Sequence, residues 1–139
     1  MKSIFKDLEN YDDNTALFIG QTRISYQELQ STADELASQV KKRCLVLIGC
    51  NNSFSSLAGY VGFLRAGIVP LLVSNIIDKI LLTKVVEAYQ PDYLYLPIES
   101  AIPFQNCKTV FKLEDYVLIK NKNHSSYRLY DDLALLLST

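Results

Sequence analysis

Between residues 44 and 96 the chain alternates short apolar runs with helical periods, and nothing else in it restricts the fold so strongly. CLVLIG (residues 44–49) is a continuous apolar run, the pattern of a strand covered on both faces. Residues 54–66 form a helix that is apolar nearly all round, stopped by Gly67. Residues 69–73 read as the next strand. Asp78 caps a third helix whose inner face is Leu81, Leu82, Val85, Val86 and Tyr89, with Pro91 marking its end. Residues 93–96 form a further strand, closed by Pro97. Strand–helix–strand–helix–strand, with right-handed crossovers, implies an α/β fold: a largely parallel sheet with helices on both faces.

The flanks are read less easily. Residues 4–11 suit a short surface helix, and TALFIG (15–20) and ISY (24–26) suit a small N-terminal hairpin around Gln21-Thr22-Arg23. Ser25 and Glu28 fit a capping box. Behind it Tyr26, Leu29, Ala33, Leu36, Ala37 and Val40 recur at helical spacing, which predicts an amphipathic helix to about Lys42. Past Pro97 the pattern weakens to short strands at 109–113 and 116–120. A polar loop, NKNHSSY (121–127), follows, and residues 127–130 pair locally. The ending, DLALLLST, contains Leu133 to Leu137, a run with the look of a central parallel strand. Residues 1–139 are expected to form a single α/β subdomain.

Composition excludes several function classes. The 139 residues are 49% apolar and 21% charged, which is globular and large enough for a real core. Fourteen basic against fifteen acidic residues leave a net charge of -1, so nothing draws the whole chain to nucleic acid or anionic membrane. MKSIFKDLEN lacks the apolar core of a signal peptide. Residues 57–73, the most apolar stretch, hold Arg65 and Pro70 and are not a membrane span. Three cysteines suit a reducing, cytoplasmic setting. No CxxC pair exists and His124 is the single histidine, so no metal site is expected.

Each reactive-looking group has a plainer reading beside it. Asn52 and Ser53 open a helix where a phosphate or carboxylate can bind, but such residues are also the best N-caps. There is no GxGxxG and no GxxxxGK[ST]. Cys50 as nucleophile with His124 as base has no local support against a buried Cys and a loop His. The pairs Asp12-Asp13, Glu114-Asp115 and Asp131-Asp132 sit at turns or strand edges, as solvated carboxylates do. Arg65 is a lone charge on an apolar helix; it reaches a ligand or a partner's carboxylate, or, more plainly, snorkels to the surface or to the carbonyls at its own helix end beside Gly67. Gly59 and Gly62 permit close packing against a sheet or another helix. No catalytic residue is assigned.

Several stretches together resemble the N-terminal region of the adenylate-forming superfamily: acyl-CoA synthetases, adenylation domains of peptide synthetases and luciferase-like ligases. They are Asp13-Asn14-Thr15-Ala16-Leu17; Ile24-Ser25-Tyr26-Gln27-Glu28-Leu29 with Ala33, Asp34, Leu36 and Ala37; and Leu45 to Gly49. Leu64-Arg65-Ala66-Gly67-Ile68-Val69-Pro70-Leu71 and Tyr89-Gln90-Pro91-Asp92-Tyr93-Leu94 complete the set. Order and spacing match from about Phe5 to Leu96. In that family an apolar strand runs into a phosphate-binding loop of the form [ST]SG[ST]TGxPK. The resemblance therefore places Ser138 and Thr139 at the start of that loop, as cofactor-binding residues, and implies a chain cut just before it.

The resemblance implies a parent that activates a carboxylic acid with ATP and Mg as an acyl-adenylate, then passes the acyl group to coenzyme A or a carrier-protein thiol. The glycines and lysine of the phosphate loop, the later motifs and the C-terminal catalytic lysine are not in residues 1–139, so this chain alone is expected to be inactive. After Pro70 the chain runs Leu71-Leu72-Val73-Ser74-Asn75-Ile76 where peptide synthetases carry a DP-containing segment, which favours an acyl-CoA-ligase-like parent. Two alternatives stand beside it: a non-catalytic α/β binding or interaction module on the same scaffold, and a small flavodoxin-like enzyme, which lacks a visible phosphate loop or nucleophile. An exposed flank of the last strand and of helix 54–66 implies self-association.

Overall fold

The computed structural model describes residues 5, 7–122 and 129–137. After a 3-10 turn (Leu8–Tyr11), β1 (Thr15–Ile19) and β2 (Thr22–Ser25) pair antiparallel as a separate hairpin. Then come α1 (Tyr26–Ala37), β3 (Leu45–Cys50), α2 (Phe54–Arg65), β4 (Val69–Ser74), α3 (Lys79–Tyr89) and β5 (Tyr93–Pro97). A 3-10 segment (Ile98–Phe104) leads to β6 (Lys108–Leu113) and β7 (Tyr116–Lys120), and the last element is β8 (Leu136–Leu137). Among the described residues six strands form one sheet in the order β6-β7-β5-β3-β4-β8. The four from β5 to β8 in that order run parallel, while β7 and β6 join antiparallel.

The continuous apolar runs are explained by cover on both faces. Leu45 and Leu47 of β3 point with Val69, Leu71, Leu94 and Leu96 towards α3, where Leu82 and Val86 meet them. Val46 and Ile48 point the other way, towards Leu36 and Ala37 of α1 and Phe63 of α2. Each such side chain taken from water contributes about 1.5–3 kcal/mol before the entropy of ordering is set against it. The α/β class, the largely parallel sheet, the helices on both faces and the small hairpin are thus as the sequence implies.

The two helical glycines serve different partners. A Cβ on Gly59 stands 2.5 Å from the Tyr95 ring of β5, and one on Gly62 collides with the carbonyl oxygen of Ala33 in α1. Gly59 therefore lets α2 lie on the sheet, and Gly62 lets α1 lie on α2. Arg65 fixes the same junction: its guanidinium grips both oxygens of Asp34, at 2.9 and 3.1 Å, and donates to the Phe5 carbonyl at 2.6 Å. The lone cation on the apolar helix is a fastener between helices.

Four expectations need correction. α1 ends at Ala37 and not near Lys42; the N–H of Ser38 still reaches the Asp34 carbonyl, and Val40 is buried from a turn. On α3 only Leu82 and Val86 are fully buried, whereas Leu81 is 50% and Tyr89 42% exposed, because a single stripe of this helix touches the sheet. The run from Leu133 to Leu137 is not central: only Leu136 and Leu137 pair, beside Leu71 and Leu72 of β4 at the sheet's edge, and Leu137 is 67% exposed. Helix α2 is mostly buried between sheet and α1, and the flank expected to be exposed shrinks to Phe54, Leu57 and Tyr60, each partly covered. Tyr127 of the expected local pairing lies outside the described residues.

One organising residue gave no sequence signal. Arg43, just before β3, donates to the Gly67 carbonyl at 2.7 Å and to the carbonyls of Tyr130 and Leu133 at 2.6 and 2.8 Å. It ties the segment leading to β8 to the turn that opens β4.

Candidate functional site

Ligands of open α/β sheets bind beyond the carboxyl ends of the strands, where neighbouring strands send their connections to opposite faces. That point falls at β3. Its chain leaves through α2 on one face to reach β4, while β5, on its other side, leaves through the 3-10 segment on the α3 face. A cleft of about 930 Å³ opens there. Its walls are the β1–β2 hairpin, the outer side of α1 around Glu28 and Ser31, the α2 entry at Asn52 to Phe54, and the β6–β7 turn at Glu114 and Asp115. A smaller hollow of about 400 Å³ lies against the same entry, between Leu17 and Phe18 of the hairpin and Cys50, Ser56 and Tyr60.

The entry itself is closed by its own hydrogen bonds. The Ser53 hydroxyl oxygen accepts the Ser56 N–H at 3.1 Å, and the Ser56 hydroxyl oxygen accepts the Asn51 N–H at 3.2 Å. The Ser53 hydroxyl in turn donates to the Asn51 side-chain carbonyl. Ser53 is thus an N-cap, the plainer of the two sequence readings. At the same helix end the Ser55 hydroxyl donates to Glu114 at 3.2 Å. Glu114 and Asp115 place negative charge where the helix dipole favours it, the place a bound anion takes in phosphate sites. The cleft does not fit a nucleotide polyphosphate.

Two buried tyrosines hold this arrangement from beneath. Tyr95 donates its hydroxyl to the Ser55 carbonyl at 2.7 Å, and Tyr116 donates to the Gly49 carbonyl at 2.5 Å. Their rings meet at a tilt of 39° with centroids 4.8 Å apart. Burial pushes the Tyr116 hydroxyl up to about 12 and raises that of Tyr95 as well, so both are neutral donors. Sequence reading missed this pair. The available signal was a tyrosine inside each of two apolar runs, whose hydroxyl must find a partner when buried.

The other candidates fall into place. Cys50 lines the smaller hollow half-buried, and burial raises its thiol, against a hydrogen bond from Ser56 that lowers it. That is the reverse of nucleophile activation. His124 lies outside the described residues. The Asp12 carbonyl accepts from the Gln27 N–H at 3.0 Å, the Asp13 carbonyl accepts from Arg23, and Asp131 and Asp132 are exposed. Among the described residues no three His, Cys, Asp or Glu side chains gather as a metal would need. Among the same residues no helix is long and apolar enough to cross a membrane. Ser138 and Thr139, the expected cofactor contacts, lie outside the described residues.

No family model matches the chain, and no curated protein matches it. Solved structures do. IdnL7 is 26% identical with a TM-score of 0.57, the match covering 64% of this chain and 19% of that one. The anthranilate CoA ligase AuaEII in complex with anthranoyl-AMP is 14% identical with a TM-score of 0.62, over 72% of this chain and 20% of that one. The N-terminal subdomain of Klebsiella oxytoca NpsA is 20% identical with a TM-score of 0.61, over 86% of this chain and 41% of that one. The chain thus spans about a fifth of the length of the first two structures, and the fold they share with it is that of the N-terminal part of adenylate-forming ligases.

Proposed function

We propose, from the premise that this chain carries that fold, that it is the leading scaffold of an ATP-dependent, AMP-forming acid–thiol ligase of the acyl-CoA-synthetase kind. The whole enzyme activates a carboxylic acid as an acyl-adenylate with Mg-ATP and hands the acyl group to coenzyme A or a carrier-protein thiol. The reading is supported by the complexes of similarly folded proteins, which hold anthranoyl-AMP in AuaEII and 3-hydroxyanthranilyl-AMSN in the NpsA N-terminal subdomain.

One observation carries it. β8 runs parallel to β4, so at Leu137 the chain is heading for the carboxyl edge of the sheet, the edge at which open α/β folds bind ligands. The described residues themselves supply positioning and no chemistry. Ser53 caps α2, Tyr95 braces it, Tyr116 braces the end of β3 that leads into it, and the carboxylates beside it disfavour phosphate. The chain alone is therefore inactive in this reading.

Two measurements test the proposal. Acid-dependent ATP–pyrophosphate exchange is expected to be absent for residues 1–139, and detectable exchange defeats the claim that they only position. Reading the gene beyond the codon for Thr139 is expected to show an in-frame loop of the SGSTGxPK type. A stop codon there instead defeats this reading and favours the non-catalytic binding module.

A further inference from the structure

Cations gather at the opposite, amino edge of the sheet. Lys108 opens β6 and Lys120 closes β7, and the ladder sets them directly opposite one another. Side chains so paired have Cβ atoms about 5 Å apart, and like charges there are destabilising. Lys122 follows, and the three exposed lysines line one hollow of about 400 Å³ with Asn106 and Cys107. Among the described residues no carboxylate forms an ion pair with any of the three. The adjacent Asp92, whose backbone carbonyl receives the Asn121 N–H, has its side chain held by Lys42 at 3.4 Å.

Edge strands often carry lysine as a guard against pairing with another chain. That accounts for Lys108 and Lys112 on β6, which among the described residues has a neighbouring strand on one side only. It does not account for Lys120, which stands on β7 between β6 and β5 and faces Lys108. The edge guard leaves a repulsive pair, a third lysine and the concavity they line without an explanation.

We infer that this hollow is a binding site for a small, multiply charged anion of the phosphate class. An ammonium group is a compact charge with three donors and meets phosphate oxygens from any direction, whereas planar carboxylates are better matched by arginine. A bound anion between Lys108 and Lys120 turns their repulsion into two attractions. The site lies across the sheet from the cleft at β3 and is independent of any ligase activity.

The test uses inorganic pyrophosphate as the probe and thermal unfolding as the readout, with potassium chloride at equal ionic strength as the reference. Pyrophosphate at about ten times its Kd is expected to raise Tm by roughly 4 °C over the reference. The double variant Lys108→Gln with Lys120→Gln loses that rise, while Lys84→Gln, on exposed α3 surface, keeps it. Without probe and at low salt, Lys120→Gln alone is expected to raise Tm by relieving the repulsion. An equal rise in the double variant, no rise in the native chain, or a lower Tm for Lys120→Gln alone overturns the inference.

Discussion

Helices α2 and α3 do the same topological task, each carrying the chain from one parallel strand to another, and they are built on opposite terms. α2 is buried from Ser55 to Leu64 but for Leu57 and Tyr60, which are partly covered, because the sheet lies on one side of it and α1 on the other. α3 lies against the sheet with the Ile98–Phe104 segment beside it and, among the described residues, has no second helical layer over it; it fully buries only Leu82 and Val86. The difference shows that a helix's buried share, and not its apolar share, reports how many layers surround it: 7 of the 12 residues of α2 and 7 of the 11 of α3 are apolar. It also explains why glycine is required on α2, where two backbones converge, and why α3 does without it.

The sharpest way to break the contrast is Gly62→Val. Its side chain meets the Ala33 carbonyl, a backbone atom that cannot turn aside, so α1 must separate from α2. A loss of about 3 kcal/mol or more is expected from chemical denaturation. A loss below about 1 kcal/mol shows that α1 can move and that the second layer is not tightly fixed. Leu82→Ala on α3 removes one of two buried contacts and is expected to cost about 2–4 kcal/mol, through lost burial and the cavity left behind. The smallest effect belongs to Leu81→Ala, within about 0.5 kcal/mol, because that side chain is half exposed. Should Leu81→Ala cost as much as Leu82→Ala, α3 is packed on two sides like α2.

The sequence made the central βαβαβ unit legible because its signals are local and redundant. An uninterrupted apolar run at residues 45–48 requires cover on both faces, and Asp78, Ser53 and Ser25 announce helix starts through side chains that bond N–H groups two or three residues on. The hairpin and the strands at β6 and β7 were legible as strands. Their place was not: that β7 joins β5 antiparallel is a choice of neighbour across the sheet. The run from Leu133 to Leu137 misled for the same reason, since apolarity states how much cover a strand accepts and not how many strands lie beside it.

The candidate site divides along the same line. Ser53 as an N-cap was readable in advance, as the Ser53–Ser56 contact spans a single helical turn. Glu114 and Asp115 were rightly seen at a turn, but only the folded sheet brings that turn to the first turn of α2, 59 residues away in the bond from Ser55 to Glu114. The tyrosine brace and the Arg43 clamp are likewise long-range, with Arg43 reaching Leu133 across 90 residues.

By itself, then, the sequence determined the strands and helices of the central unit, where the helices begin, and that the central strands are covered twice. Those properties follow from periodicity and capping within a few residues. Tertiary structure alone decided the order of the strands, the charge that faces the α2 entry and the pairing of Lys108 with Lys120. Each of these depends on which distant backbones approach one another, and no local preference encodes that.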